Sequence, residues 1–254
     1  MHVHYWRHSM YAERLTFPHF KTIMETIDTI IIPVGSFEAH GKHCPLGTDI
    51  LIPAQLCADL ESRIGNEIII APAINYGYTP LLSAFDGTVS ISAELLIDLY
   101  TQVAREFVKW GAKNIVFMNG HGGNIPMLTI ACDRIAQKGA RAMTISWWAT
   151  YAQQILDVCS SQGHAGEDET SVIYAIDASL VDTQSITKHL EKAFVLPLAS
   201  PDQVQVRYPD AMNGDASRAS IEKGQALLDM LCTYNIEYIN RLRSGDLTVP
   251  IELR

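Results

Sequence analysis

The stretch that decides the fold is "TIIIPVGSFEAHGKHCPLGTD", residues 29–49, in which an apolar run leads directly into a polar segment. The run "TIIIPV" is short and rich in β-branched residues, which is typical of a buried strand. The polar segment contains one Glu, two His, one Cys and one Asp, all of them side chains that bind metals or transfer protons. A strand that ends in such a cluster predicts a functional site at the edge of a sheet.

Further apolar runs of this kind alternate with amphipathic segments along the chain. The predicted strands are Thr29 to Val34, Glu67 to Ala73, Asn114 to Met118 and Arg141 to Ser146. Segments with apolar residues three and four positions apart are predicted as helices at 49–64, 92–110, 126–139, 169–180 and 220–242. This alternation indicates an α/β fold, a mostly parallel β-sheet flanked by helices.

No linker or repeat divides the chain, so we expect residues 1–254 to form a single domain. Its hydrophobic content of 48% is ample for a buried core. The polar stretch from Pro197 to Ser220 is predicted as a long loop, and loops of that length are more often functional than structural.

The composition also indicates which kinds of binding partner and which cellular location to expect for the protein. With 19 basic and 28 acidic residues the formal charge is −9, and no Lys/Arg cluster is present, so we expect no nucleic-acid partner. No apolar run approaches the roughly 18 residues of a membrane span, and the N-terminus lacks a signal-peptide core, so we expect a cytoplasmic protein without a membrane partner. Five cysteines without CxxC spacing are interpreted as reduced thiols.

The first ligand cluster consists of Glu38, His40 and Asp49. In an extended chain Glu38 and His40 point to the same side, and Asp49 returns at the start of the next predicted helix. Two carboxylates and an imidazole make a metal site of oxygen and nitrogen donors. The alternative is that Thr48 or Asp49 only caps a helix and that the histidines are solvated.

A second cluster follows the third predicted strand, in "VFMNGHGGN", residues 116–124. His121 is the ligand-type side chain there, and the glycines around it permit a sharp turn and a close approach. A phosphate-binding loop is the alternative, but the glycine spacing matches neither dinucleotide nor Walker patterns.

The third cluster is "GHAGEDETS", residues 163–171. Glu167, Asp168 and Glu169 lie in the first turn of a predicted helix, where acidic residues are ordinary because of the helix dipole. His164 has no such explanation and is a candidate acid or base. Three clusters at successive strand ends predict one metal site, most simply a binuclear one.

The motifs "PVGSFEAHGKHCPLGTD", "NGHGGN" and "HAGEDETS", in this order, resemble the signature of the creatininase family of metal-dependent amidohydrolases. "YGYTP" at 76–80 and "GDASRASIEKG" at 214–224 extend the resemblance. It implies an α-β-α sandwich, two divalent metal ions per subunit (Zn, Mn or Fe), a small-molecule substrate and a homo-oligomer, which is a hexamer in the family.

Position by position, the resemblance implies that Glu38 and His121 bind one metal, that His40 binds the other and that Asp49 bridges them. His164 takes the place of the acid/base histidine. In creatinine-hydrolysing members the second motif resembles "NGHYEN", and the resemblance implies that its Glu is a ligand of the second metal. This chain has Gly123 there. We expect Glu169 to replace that ligand and to take part in catalysis, with Glu167 as second choice.

The resemblance is weaker around the substrate. The creatinine enzyme has a tryptophan just before its acid/base histidine, where residues 160–163 offer no aromatic side chain. Trp147 and Trp148 end the fourth predicted strand, and either could wall the pocket or belong to the core.

These observations predict an amidohydrolase that cuts a C–N bond of a cyclic amide or formamide. The metals would generate hydroxide at neutral pH, and His164 would protonate the leaving nitrogen. The alternatives are a family member that cuts a peptide or opens a cyclic ketone, a serine or cysteine hydrolase using Ser36 or Cys44, and a non-catalytic metabolite-binding protein.

Overall fold

A four-stranded parallel sheet forms the centre of the protein. The computed structural model of the chain describes residues 9–190 and 207–246. The strands are β1 (Thr29–Val34), β2 (Ile69–Ile70), β3 (Asn114–Asn119) and β4 (Arg141–Ser146), in the order β2-β1-β3-β4. A small antiparallel pair, β5 (Lys188–His189) and β6 (Gly214–Asp215), lies outside this sheet.

Helices cover both faces of the sheet. Those in the described ranges are α1 (Phe17–Ile23), α2 (Thr48–Ile64), α3 (Ala93–Lys109), α4 (Ile125–Ala136), α5 (Trp147–Thr150), α6 (Ala152–Val158), α7 (Glu167–Asp177) and α8 (Ile221–Ser244). None of them combines the length and apolar character needed to cross a bilayer.

Side chains alternate between two apolar layers, as the period of a strand requires. On β1, Ile31 packs in one layer with residues of α2, α7 and α8, whereas Ile30 and Ile32 pack in the other with residues of α3 and α4. Val116 and Phe117 of β3 divide in the same way. The sheet is therefore buried on both faces, and the prediction of a parallel sheet between helices is confirmed.

The predicted strand boundaries hold for β1, β3 and β4 to within one residue, but β2 is much shorter than the predicted Glu67 to Ala73. β2 lies at the edge of the sheet and pairs with β1 only through Ile69 and Ile70. Pro72 has no N–H to continue the ladder, so the strand is interrupted there, and the pairing resumes only as a single parallel bridge between Ile74 and Val34. On its outer side, Ile70 pairs with Tyr11 instead of another strand.

The predicted loop from Pro197 to Ser220 falls partly outside the described residues, at 197–206. The described part is not one open loop, because Gly214–Asp215 forms β6 against β5 and short 3₁₀ turns flank it, at Pro209–Ala211 and Ala216–Arg218. Asn213 also donates a backbone hydrogen bond to the carbonyl oxygen of His164, at 2.9 Å. This segment therefore lies directly beside the third ligand motif.

The start of α2 is wedged between the carboxyl ends of β1 and β3. A Cβ at Gly35, which follows β1, would lie 2.5 Å from the carbonyl oxygen of Asp49, and a Cβ at Gly120, which follows β3, would overlap the same oxygen. The Gly120 N–H donates to the Val34 carbonyl at 2.8 Å, which holds the two strand ends together. Two glycines therefore let the first turn of α2 reach the loops that carry the other predicted ligands.

Gly120→Ala is expected to lower the free energy of unfolding by about 1–3 kcal/mol, the usual cost of overpacking, because the added methyl group overlaps the Asp49 carbonyl. Urea unfolding followed by circular dichroism measures it. Gly47→Ala is the control, since its Cβ would lie 3.9 Å from Leu51 at the same helix end, and we expect a change below about 1 kcal/mol. Equal losses in the two variants would show that the close approach is not the constraint.

Candidate metal centre

The three predicted clusters meet at the carboxyl edge of the sheet. The loop after β1, the first turn of α2, the loop after β3 and the start of α7 bring together six buried or nearly buried side chains: Glu38, His40, Asp49, His121, His164 and Glu169. Except for His40, which lies behind them, these side chains line a cavity of about 580 Å³. Every side chain that we predicted as a ligand or acid/base group therefore lies in one place.

Asp49 is positioned between two imidazoles. Its Oδ2 lies 3.0 Å from His121 Nδ1, and its Oδ1 lies 3.0 Å from His40 Nε2. Glu38 Oε2 is 3.2 Å from His121 Nδ1, and Glu169 Oε2 is 3.7 Å from His40 Nε2. Glu38, Asp49 and His121 thus form one potential ligand group, and His40, Asp49 and Glu169 form another, with the ligand atoms of each group within 4.8 Å of one another.

Backbone carbonyl groups select the tautomer of both imidazoles. His40 Nδ1 lies 3.2 Å from the Glu38 carbonyl oxygen, and His121 Nε2 lies 2.9 Å from the Tyr78 carbonyl oxygen. A carbonyl oxygen only accepts hydrogen bonds, so these two nitrogens carry the hydrogens. The lone pair of the other ring nitrogen then faces the carboxylates, as in histidines that bind metals.

This arrangement leaves a polar atom without a partner and fits a cation. Within the described residues, Glu38 Oε1 is buried and makes no hydrogen bond, and His40 Nε2 faces the carboxylate oxygens of Asp49 and Glu169. Burial disfavours the charged form of His40, but Asp49, Glu169 and Glu38 outweigh it and raise the pKa of the imidazole to about 10. The cluster therefore attracts positive charge, and its oxygen and nitrogen donors suit Zn, Mn or Fe.

Packing explains why position 123 has no carboxylate. A Cβ at Gly123 would overlap the Tyr78 carbonyl oxygen and lie 2.5 Å from His121 Nε2. The hydrogen bond between those two groups fills the space that a side chain at 123 would need. Glu169 approaches the second ligand group from α7, and its Oε2 also accepts the Ala165 N–H at 2.7 Å. This geometry supports Glu169 as the replacement ligand.

Glu167, our second choice, points elsewhere. Its Oε1 accepts from Lys223 Nζ at 2.5 Å, and its Oε2 accepts from the backbone N–H groups of Ser160 and Ser161 at 2.9 and 3.1 Å. Its side chain is fully buried in these contacts. Glu167 thus joins α8 to the loop that leads into His164, away from the ligand groups.

His164 lies beside the cluster, with its ring centroid 4.2 Å from that of His40. Its Nε2–H donates to the Ala39 carbonyl at 3.0 Å, which leaves the Nδ1 lone pair toward Glu38 Oε1, 3.9 Å away. Burial, followed by the neighbouring His40, lowers the pKa of His164 to about 4. The ring is therefore neutral and able to take up a proton at Nδ1. Glu38, His40 and His164 also lie close enough to share an ion, so the acid/base role stays a prediction.

Sequence reasoning missed several side chains that hold the site. Ser36 Oγ donates to Glu38 Oε2 at 2.7 Å. Asn124 donates to the Gly35 carbonyl at 3.0 Å and accepts from the Tyr78 N–H at 3.1 Å, which ties together the loops of three motifs. The signal was present, because Asn124 closes "NGHGGN" and Tyr78 lies within "YGYTP".

The structure also separates the alternatives that the sequence left open. Ser36 is fully buried, and burial raises the pKa of the Cys44 thiol to about 12. Neither belongs to the described residues that line the cavity, so neither is placed as a nucleophile. Trp147 is fully buried in the core, whereas Trp148 lines the cavity.

Comparison with known proteins gives matches over most of the chain. The family model for creatininase, described as creatinine amidohydrolase, matches residues 13–239. The mycofactocin precursor peptide peptidase of Mycolicibacterium smegmatis is 29% identical over 96% of this chain and 98% of its own length. The creatinine amidohydrolase of Pseudomonas putida is 26% identical over 87% of this chain and 93% of its own.

Solved structures are similar in fold. A manganese creatininase has a TM-score of 0.78 at 25% identity and covers 92% of this chain and 98% of its own. A mutant creatininase of the Zn-Zn type has a TM-score of 0.77 at 27% identity, over 92% of this chain and 97% of its own. Structures of this fold therefore exist with the metals that suit the donor set described above.

Glu169→Gln is expected to lower the metal content by about one ion per chain, because an amide oxygen is a much weaker ligand than a carboxylate. Elemental analysis of protein dialysed against buffered zinc measures the content. Glu167→Gln is the matched control, since it is two residues away and contacts Lys223; it should keep full metal content and lose only stability. Loss of metal in the Glu167 variant alone would assign the ligand to Glu167.

Proposed function

Because the chain belongs to the creatininase family, we propose that it hydrolyses a C–N bond other than a peptide bond, in a cyclic amide or a formamide. It is a metal-dependent amidohydrolase. The observation that carries the proposal is the pair of imidazoles whose tautomers are set by backbone carbonyls and whose free nitrogens face three carboxylates beside a cavity.

The proposal divides the candidate ligands between two divalent ions. Glu38, Asp49 and His121 would hold one divalent ion, and His40, Asp49 and Glu169 the other, with Asp49 common to both. Divalent ions in such sites polarise an amide carbonyl and lower the pKa of bound water. The backbone carbonyl partners of His40 and His121 orient the rings for this task, and Ser36 orients Glu38.

His164 is assigned to proton transfer. An amide nitrogen leaves poorly as an anion, so it must be protonated when the C–N bond breaks. His164 is anchored through Nε2 to the Ala39 carbonyl, and its Nδ1 is free to carry a proton into the cavity. A positioned acid or base of this kind contributes about 10²–10⁴ to the rate.

The cavity supports a small substrate. Its volume of about 580 Å³ lies within the ordinary range of small-molecule sites. Its lining includes the apolar side chains of Pro80, Leu81 and Trp148 and the polar side chains of Gln162 and Asp168. Residues 160–163 contribute no aromatic ring, so the tryptophan that the family resemblance places before the acid/base histidine of creatinine-hydrolysing members has no counterpart here. We therefore propose a substrate other than creatinine.

Peptide hydrolysis is the second candidate. It is favoured by the similarity to the mycobacterial peptide peptidase, which extends over nearly the whole length of both chains. The same metal groups and the same proton transfer would serve a peptide bond, so only the substrate distinguishes the two candidates.

The proposal includes a homo-oligomer, as the family resemblance implies, and a location in the cytoplasm, as the sequence analysis predicts. An apolar groove supports the oligomer: Phe17 and Trp110 are 87% and 59% exposed and line it together with Phe20, Met24 and Phe107. Exposed aromatic side chains grouped in this way are typical of protein interfaces.

A substrate screen tests the function. Zinc- and manganese-loaded protein is expected to hydrolyse at least one member of a set of cyclic amides and N-formyl compounds, followed by chromatography of the products. Protein treated with a chelator should lose the activity and recover it when metal is restored. Short peptides form the second arm of the screen.

The two arms give different conclusions. Hydrolysis of peptides alone would transfer the assignment to the second candidate. Purified protein that takes up no stoichiometric divalent metal would contradict both and favour a metabolite-binding protein.

His164→Gln is expected to keep full metal content while kcat falls by about 10²–10⁴. The loss should be smaller for substrates whose leaving nitrogen is already acidic, because these need less protonation in the transition state. Metal per chain and kcat across leaving groups of graded basicity are measured together, with His19→Gln, an exposed histidine on α1, as control. Loss of metal in the His164 variant would make His164 a ligand instead.

A further inference from the structure

Tyr208 is a cavity residue that none of the sequence motifs includes. Its half-buried ring lies edge-on to the His164 imidazole, with the centroids 5.3 Å apart and the planes at 86°. The ring also packs against a small apolar cluster of Ala39, Leu82 and Ala211. Tyr208 therefore faces the same cavity as the metal ligands and touches the proposed acid/base residue.

The turn that carries Tyr208 is held in an unfavourable backbone conformation. Asp210 and Ala211 both have φ of 54°, in the left-handed region that side chains rarely adopt. The Gly41 N–H donates to the Ala211 carbonyl at 2.7 Å, and Lys42 forms an ion pair with Asp210 at 2.9 Å. Such strain persists only where surrounding contacts over-determine it, and it is concentrated at functional sites. Here the contacts tie Tyr208 to the chain directly after His40.

The hydroxyl group of Tyr208 is a hydrogen-bond donor. It makes no hydrogen bond to any of the residues that the structure describes. Burial, together with the negative charges of Glu38 and Glu169 and against the opposing charge of Arg207, raises the pKa of the phenol. The phenol therefore keeps its proton at neutral pH and can donate but does not act as a base.

We infer that Tyr208 is a catalytic residue that donates a hydrogen bond to the carbonyl oxygen of the substrate amide. The inference rests on the proposed function. The bond strengthens as the carbonyl oxygen gains negative charge in the tetrahedral transition state, which is how a preorganised donor accelerates acyl transfer. The proton stays on the phenol oxygen throughout, so no bond is made or broken at Tyr208.

The position of the ring suits this role. His164 serves the leaving nitrogen, and Tyr208, in contact with it, serves the oxygen of the same amide group. The substrate class follows: a compound with a planar carbonyl small enough to lie between the metal ligands and the Tyr208 ring.

The test removes the hydroxyl and keeps the ring, in Tyr208→Phe. With the amide that zinc-loaded protein hydrolyses fastest, kcat is expected to fall by about 10²–10³, the usual effect of losing one oxyanion donor. Inorganic phosphate serves as a tetrahedral oxyanion probe, and its affinity for the zinc-loaded protein, measured by calorimetry, should weaken about tenfold or more, as for the loss of a hydrogen bond to a charged group. Metal content and the urea midpoint should not change.

Tyr238→Phe is the matched control, because Tyr238 is also half-buried and also packs edge-on to a ring, that of Tyr151, with centroids 5.8 Å apart. It should keep the activity and the phosphate affinity. A Tyr208→Phe variant with unchanged kcat and unchanged phosphate affinity would overturn the inference, and so would one that loses metal.

The failure of the proposed function is distinguishable from the failure of this inference. If wild-type protein hydrolyses no amide, the proposed function fails, and phosphate binding alone decides the role of Tyr208 as an oxyanion donor. If wild-type protein hydrolyses an amide and the Tyr208→Phe variant does so equally well, the function stands and the inference fails.

Discussion

The whole site depends on the first turn of α2 lying between the ends of β1 and β3. Gly35 and Gly120 have no Cβ, and a Cβ at either position would collide with the Asp49 carbonyl oxygen. The absence of these atoms lets the Asp49 backbone lie between the two strand ends. The Asp49 carboxylate then faces His40 from one loop and His121 from the other. Parallel strands place both loops at the same edge of the sheet, and the glycines place the helix start between them. If the first turn of α2 did not lie there, the two ligand groups would not share Asp49.

Burial makes this cluster unfavourable for the protein alone. Three carboxylates and the neighbouring imidazoles are removed from water, and unpaired charges of this kind are costly to bury. Backbone carbonyls accept one hydrogen of each imidazole, so the other ring nitrogen faces the carboxylates and needs a cation beside it, either a second proton or a metal ion. Divalent ions offset this repulsion, which couples metal binding to the stability of the folded chain. The surrounding layers of apolar side chains provide the rigid frame that keeps the donors in position.

The other half of the site comes from α7 and the segments beside it. Glu167 and Lys223 connect the loop before His164 to α8, and the backbone bond from Asn213 fixes the carbonyl of His164 itself. These contacts place His164 and Glu169 against the ligands of the first two motifs. Relatives whose names give different substrates match nearly the whole chain. In this chain, Trp148 and Tyr208 line the cavity beside the candidate ligands.

The sequence by itself determined the parallel sheet and identified most of the candidate ligands. Apolar runs rich in β-branched residues predict β1, β3 and β4, and short motifs at their ends contain Glu38 and His121 close to the strands that carry them. Only the tertiary structure decided the features that depend on how separate segments pack together. β2 is shortened because it lies at an edge before Pro72, which has no N–H for the ladder. Glu167 and Glu169 are two residues apart on one helix and so point about 200° apart, and only the packing of α7 decides which carboxylate faces the site. Tyr208 reaches the cavity from a distant segment that carries no motif, because a strained turn is held against Gly41 and Lys42, a contact that no local pattern encodes.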